Sequence, residues 1–437
     1  MIDAVVVGSG LPELQTALDL AEVGLRVAVL ERAGEEDAAG ELDHEGGVAR
    51  LLERMAAGLP GAGGAARPEL APRAVPPEAT MLLGRSGAWC RRPEPEVWGI
   101  PAVPLAAETI AAIGNGGALR AYRDRLAPVL TVGKTRSLGV LVKKRLGSAV
   151  LGTLTAPQLR ERYGADATEV EVAIAAPGLN EALTRTGSLT AAALAYSERH
   201  AGRETRIAPE AGWEALREAM VERLGLYGVE FAASPLTGAG RLEDGGWSLR
   251  FEDGSALQAR AAVVDCPPDP QESPFAAFLE AVAPARLRIH ASIGIDRPEW
   301  LPEGAVAVRD VGDPRQAKAA VWSLRLAGGR ARFSSARFEA GAPVLRANPV
   351  ALLDSWLAEA GASPAPDAEW SIETRAAAYC TVEERELESA ARQALSDREP
   401  ELLVVGRALH GDDLSAALDA AHHGAVELRR RLLGLAD

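Results

Sequence analysis

Gly8 and Gly10 are the residues whose type and spacing point most directly to chemistry. They flank Ser9 at the end of a β-branched run, residues 4–7, and stand just before a stretch of helical spacing. Glycines so placed let the chain turn sharply and bring backbone N–H groups, here around Ser9 and Leu11, up to a phosphate at the positive end of a helix. Glu31, with Arg32 beside it, closes the next apolar run. An acid roughly 20 residues past the glycines is where a dinucleotide-binding unit holds a ribose hydroxyl. The third glycine of G-x-G-x-x-G is replaced by Glu13. A carboxylate in a first helical turn suits the helix dipole, and it competes with any phosphate for that dipole.

These groups need a βαβ unit to position them. Residues 4–7 read as a buried strand, and Leu14, Ala17, Leu18 and Ala21 recur at helical spacing until Gly24. Residues 25–30 form a second buried strand. Beyond it, residues 34–64 are acidic and glycine-rich, with a short helix expected around Leu51, Leu52 and Met55, and 61–77 read as a loop. Residues 79–93 alternate like two short strands around Gly87. A helical middle third follows over 106–130, 138–154 and 156–163, with the glycines at 114–117 expected to break the first of these helices. A second informative stretch begins at Gly212. It holds a helix over 213–224, a strand over 229–232, a hairpin of 247–251 with 256–259 turning at Asp253-Gly254, and a buried strand over 261–265. Residues 284–384 bring the strands of a second sheet and a helix near 352–360. The chain closes with a strand over 402–405, a glycine loop and a helix over 415–433.

Composition narrows the function classes. The chain has 437 residues, 47% of them hydrophobic, enough for two domains with ample core. Its net charge of −14 speaks against nucleic acid and against general attraction to anionic lipid. Cys90, Cys266 and Cys380 lie far apart without C-x-x-C spacing, so a metal cluster or disulfide framework is not expected and a reducing, cytoplasmic compartment is. Neither a secretory signal nor a run of ~18 apolar residues is found, so no transmembrane segment is expected. Adjacent His422 and His423, with His410 before them, point to different faces of the last helix and make a poor metal site.

Three blocks in this order resemble the flavin-dependent amine oxidase superfamily. Within it, residues 137–189 are similar to a segment of protoporphyrinogen and coproporphyrinogen oxidases, through Arg145, Leu146, Gly147, Pro157, Gly164, Gly187 and Ser188. Gly212-Trp213 stands where that family has paired glycines and a methionine before a helix. The resemblance implies an α/β fold: a Rossmann-like, two-dinucleotide FAD domain (1–78, 209–270 and 399–437) and a sheet-containing substrate domain with a helical insertion (79–208 and 271–398). It implies noncovalent FAD, with the adenine end on Gly8, Gly10, Glu31 and the backbone at Leu236. The flavin would lie near the loop 406–413, which contains Gly406, Asp412 and Asp413. It further implies a small-molecule substrate, a tetrapyrrole of the porphyrinogen type, oxidised with oxygen as acceptor. The flavin performs such chemistry, so no catalytic side chain is named. Arg91 and Arg92 are candidates for binding substrate carboxylates, and Cys380 for a place near the flavin.

Three departures fall on the cofactor. Glu13 is one. The family's G-G-R-x-x-T loop is replaced by an acidic run after Arg32, and Asp412 and Asp413 stand where helix N–H groups would face the flavin. The leading expectation is an FAD-dependent oxidoreductase with an altered cofactor pocket. The alternative is a non-catalytic relative that has lost FAD and serves as a binding or assembly partner, in a homo-oligomer or with another subunit.

Overall fold

The computed structural model describes residues 2–30, 40–59, 65–127, 135–200, 205–232, 235–243, 245–312, 321–340 and 349–435. The chain divides into two units. One comprises Met1–Pro76, Arg203–Pro284 and Glu386–Asp437, the other Pro77–Gly202 and Ala285–Arg385.

The first unit is built on a seven-stranded sheet. β1 (Ile2–Val7), α1 (Leu11–Ala21) and β2 (Val27–Leu30) form the expected βαβ unit, followed by α2 (Gly47–Ala56). The second segment adds α3 (Trp213–Leu226), β3 (Glu230–Ala232), β4 (Leu236–Arg241), β5 (Trp247–Phe251) and β6 (Ala256–Asp265). The third adds β7 (Leu402–Val405) and α4 (Leu414–Leu432). Strand order is β3-β2-β1-β6-β5-β4, with β7 pairing along the second half of β6. The pairs among β1, β2, β3, β6 and β7 are parallel. Parallel strands are covered on both faces, which is why they read as unbroken apolar runs. On one face Leu14 and Leu18 of α1 pack with Leu216, Met220 and Leu418. On the other, Val5 and Val264 meet Trp247, Phe275 and Leu279, so this unit runs past residue 270.

Two strands differ from the sequence reading. β6 is one ten-residue strand where two were expected. Its first half alternates as the antiparallel partner of β5, and its second half is uniformly buried between β1 and β7. The change of period marks a change of environment along one strand. β4 was missed because Leu-Thr-Gly-Ala-Gly-Arg carries neither alternation nor apolar length. The segment Ala107–Tyr122, by contrast, breaks as expected at Gly114, whose φ of 75° is not helical and divides it into two helices.

The second unit carries a nine-stranded sheet. Ile289, Ile293, Leu324 and Phe333 on one face pack with Leu353, Trp356 and Leu357 of the helix Val350–Glu359. Its helices gather around Leu141, Leu154 and Leu183. Arg145, singled out in the sequence, is buried there against fully buried Asp124. Asp124 also accepts from the N–H groups of Leu189 and Thr190 at the start of the helix Leu189–His200, and Arg145 donates to the carbonyl of Gly187 at 3.0 Å. One ion pair thus ties three chain segments together. Asp124→Ala leaves a buried guanidinium unpaired and a helix start uncapped, and is expected to cost about 3–5 kcal/mol in urea denaturation. A loss below about 1 kcal/mol would contradict this account of the pair.

Candidate functional site

The turn after β1 is shaped by glycine. Gly8 has φ 123°, a conformation side chains resist, and its N–H donates to the carbonyl of Leu30 at 3.0 Å. Gly10 caps α1 in extended geometry and accepts from Leu14 N–H at 3.0 Å. Glu13 is then the third residue of the helix, the place from which a glutamate reaches back toward the N-cap. Its side chain is 3% exposed and does turn back. A β-carbon on Gly10 would lie 2.5 Å from Glu13 Oε2, and one on Gly8 would lie 3.0 Å from Glu13 Cγ. Both glycines therefore make room for this chain's own carboxylate.

A second acid closes on the same point. Parallel pairing sets Val7 against Val264, so Asp265, one residue on, comes beside Gly8, whose added β-carbon would meet Asp265 Cβ at 3.0 Å. Gly406, at φ 114°, ends β7 on the other side of β6. A β-carbon there would collide with Asp265 Oδ1 and approach Glu13 Oε1 to 3.5 Å. Gly8, Ser9, Gly10, Leu11 and Gly406 thus converge, with two carboxylates among them. Cys266 registers the negative surroundings, since burial first, then the charges of Asp265 and Glu388, push its thiol up to about 12. Asp265 was missed as a site residue. Its signal was its place at the end of a buried strand, the same place Glu31 holds in the first unit's sequence.

The acids of the C-terminal loop have partners within the protein. Asp413 caps α4, accepting from Ala416 N–H at 3.1 Å. Asp412, in left-handed conformation at φ 60°, accepts from Arg407 Nε at 3.2 Å, and Arg407 Nη1 reaches Glu41 at 3.0 Å. Asp43 accepts from Val48 N–H at 3.0 Å and Ala49 N–H at 2.9 Å, starting α2, and from the Ser415 hydroxyl at 2.6 Å. Leu236 begins β4, its side chain against the cluster that holds Val5 and Leu30. Glu31 and Arg32 lie outside the described residues.

The remaining candidates are absorbed by packing. Arg92 donates to Gln158 and pairs with Glu96, each at 3.4 Å, while Arg91 is exposed. Cys380 lies in the core of the second unit, where burial pushes its thiol up to about 12. His422 does find a carboxylate, Asp19 of α1, at 2.9 Å, which spacing along its own helix could not reveal. His410 is held down to about 3 by burial, with Arg392 adding to the effect.

No protein-family model matches the sequence, and no curated protein matches it. Solved structures do. A proposed protoporphyrinogen oxidase from Exiguobacterium sp. 255-15 superposes with a TM-score of 0.65 at 19% identity, over 98% of this chain and 99% of that one. Cyclohexylamine oxidase from Brevibacterium oxydans IH-35A gives 0.52 at 14%, over 99% of each chain. A cofactor-binding redesign of putrescine oxidase gives 0.50 at 12%, over 100% and 99%. The likeness to the flavin amine oxidase superfamily read from sequence is therefore one of fold, across the whole chain.

His410 makes a pH prediction. The ring takes up a proton near pH 6.5 in the unfolded chain and only at about 3 in the folded one. Its contribution is thus complete above about 6.5 and declines as pH falls through that window. His410→Asn is expected to flatten stability against pH between about 4 and 6, by up to about 1.4 kcal/mol per pH unit. Parallel profiles for the two proteins would contradict the assignment.

Proposed function

We propose that this chain keeps the architecture of a flavin-dependent oxidase but works without FAD, as a binding or assembly partner rather than as a catalyst. The observation that carries this reading is the Glu13 carboxylate, buried over Gly10. A dinucleotide's diphosphate needs the N–H groups and the positive helix end at this turn, and here a carboxylate of the protein stands over both. Two unit charges about 5 Å apart at an effective dielectric near 20 repel by roughly 3 kcal/mol. Asp265 alongside acts in the same direction. The donor set at this turn does not fit FAD. Free, widely separated cysteines are in keeping with a reducing, cytoplasmic setting.

The second reading is an FAD-dependent oxidoreductase acting on a small molecule. It is favoured by retention of both units over 98% of the chain relative to the proposed protoporphyrinogen oxidase, because a protein that had abandoned redox chemistry would be free to shed part of the architecture.

Purified protein distinguishes the two. The proposal expects a colourless preparation, without absorbance near 450 nm, whose melting temperature does not rise with excess FAD. Glu13→Gly is expected to tighten FAD binding by about tenfold or more. Stoichiometric flavin in the parent protein would overturn the proposal in favour of the second reading. Identical titrations for parent and variant would remove the charge argument.

A further inference from the structure

The sheet of the second unit ends on an open edge. Its strand Ser371–Ala376 pairs antiparallel with the strand Arg286–Asp296, and among the described residues no strand pairs with its outer side. A bare edge is a template for another strand, which proteins blunt with proline, bulges, short length or charge. This edge is six residues long and contains no proline. Its two charges, Glu373 and Arg375, pair with each other. Ser371, Glu373 and Thr374 are exposed, and Ile372 leaves 41% of its surface open.

Hydrogen-bond phase fixes which backbone groups the edge offers. Residues of an antiparallel strand bond alternately to one neighbour and to the other. Ala377 N–H donates to the Arg286 carbonyl at 2.9 Å, while on the far side of that neighbouring strand Ile295 N–H donates to Gly329 at 2.7 Å. With Leu287 set against Ala376, residues 371, 373 and 375 bond inward, and Ile372 and Thr374 turn their N–H and C=O outward. A second copy of the strand can meet these groups across a two-fold axis, where residue i faces j and j faces i. The side chains then choose the centre. Centred on Ser371, Glu369 opposes Glu373 of the other copy, and centred on Glu373, the two Glu373 carboxylates oppose each other; like charges directly opposite are destabilising. Centred on Thr374, the pairing needs the outer side of Ala376, which is 3% exposed. Centred on Ile372, every pair is compatible. Ile372 meets its own copy, Ser371 faces Glu373, and the exposed Glu369 faces Arg375, each of the last two occurring twice.

We propose that two copies of this chain associate through residues 369–375, paired antiparallel about Ile372, so that the sheet continues from one molecule into the next. Backbone hydrogen bonds supply the attraction, as in other cases of strand addition, and the Glu369–Arg375 and Ser371–Glu373 pairs set the register. The contact covers the exposed Ile372 side chain with its own copy. A single strand pair buries less than the roughly 1,200 Å² of a standard interface, so the dimer is weak, with a Kd on the order of 10–100 µM. The inference goes beyond the proposed function and does not rest on whether FAD is bound.

Sedimentation equilibrium of the full chain from about 1 to about 300 µM tests it. The average mass is expected to rise from 45.7 kDa toward twice that value. Ile372→Lys sets two ammonium groups opposite each other at an exposed position, and should weaken the dimer by about fivefold or more with circular dichroism unchanged. Glu369→Arg and Arg375→Glu should each weaken it as well. An equimolar mixture of those two variants should dimerise like the parent, because every reversed charge again faces an opposite one. A monomer throughout the range, a dimer that survives Ile372→Lys, or a mixture of two folded charge variants that stays monomeric would each overturn the proposal. Should Arg375→Glu fail to fold, Ile372→Lys alone decides.

Discussion

The carboxylate of Glu13 folded back over Gly10 is the contact on which the account of this protein rests. A helix start carries N–H groups without intrahelical partners and a partial positive charge. A dinucleotide-binding fold leaves that end open to a phosphate. Here the third residue of α1 supplies the anion itself, buried to 3% exposure. The same few atoms that stabilise the helix locally are those a ligand would need. The conflict is one of space as well as charge, since both glycines of the turn look onto the Glu13 side chain.

The sheet brings this conflict to a point. Parallel register between β1 and β6 delivers Asp265 beside Gly8, and β7 delivers Gly406 beside Asp265. Three separate chain segments, from residues 8, 265 and 406, meet at one corner. Around it the other acids are quiet. Asp413 and Asp43 begin helices, and Asp412 shares Arg407 with Glu41. They contribute to folding within the first unit, whereas Glu13 and Asp265 bear on what that unit can hold.

Much of the framework was legible in the sequence because period and burial agree. The run 4–7, the helix through Leu14 and Leu18, and the strand 402–405 sit where apolar spacing put them. β4 was illegible because its glycines and single leucine carry no pattern, and β6 was split because its two halves follow different periods. At the site, the type of residue at position 13 was readable, but not where its side chain would go. Asp265 and Arg407 act through partners more than two hundred residues away in sequence, a relation that only the strand register and the folded loop create.

The most direct test of the central claim is a crystal structure of the unmodified chain grown with saturating ADP, the diphosphate half of the nucleotide. The account predicts Glu13 seated between Gly8 and Gly10, with no diphosphate at the turn. A diphosphate on the Ser9 and Leu11 N–H groups, with Glu13 swung into solvent, would contradict it.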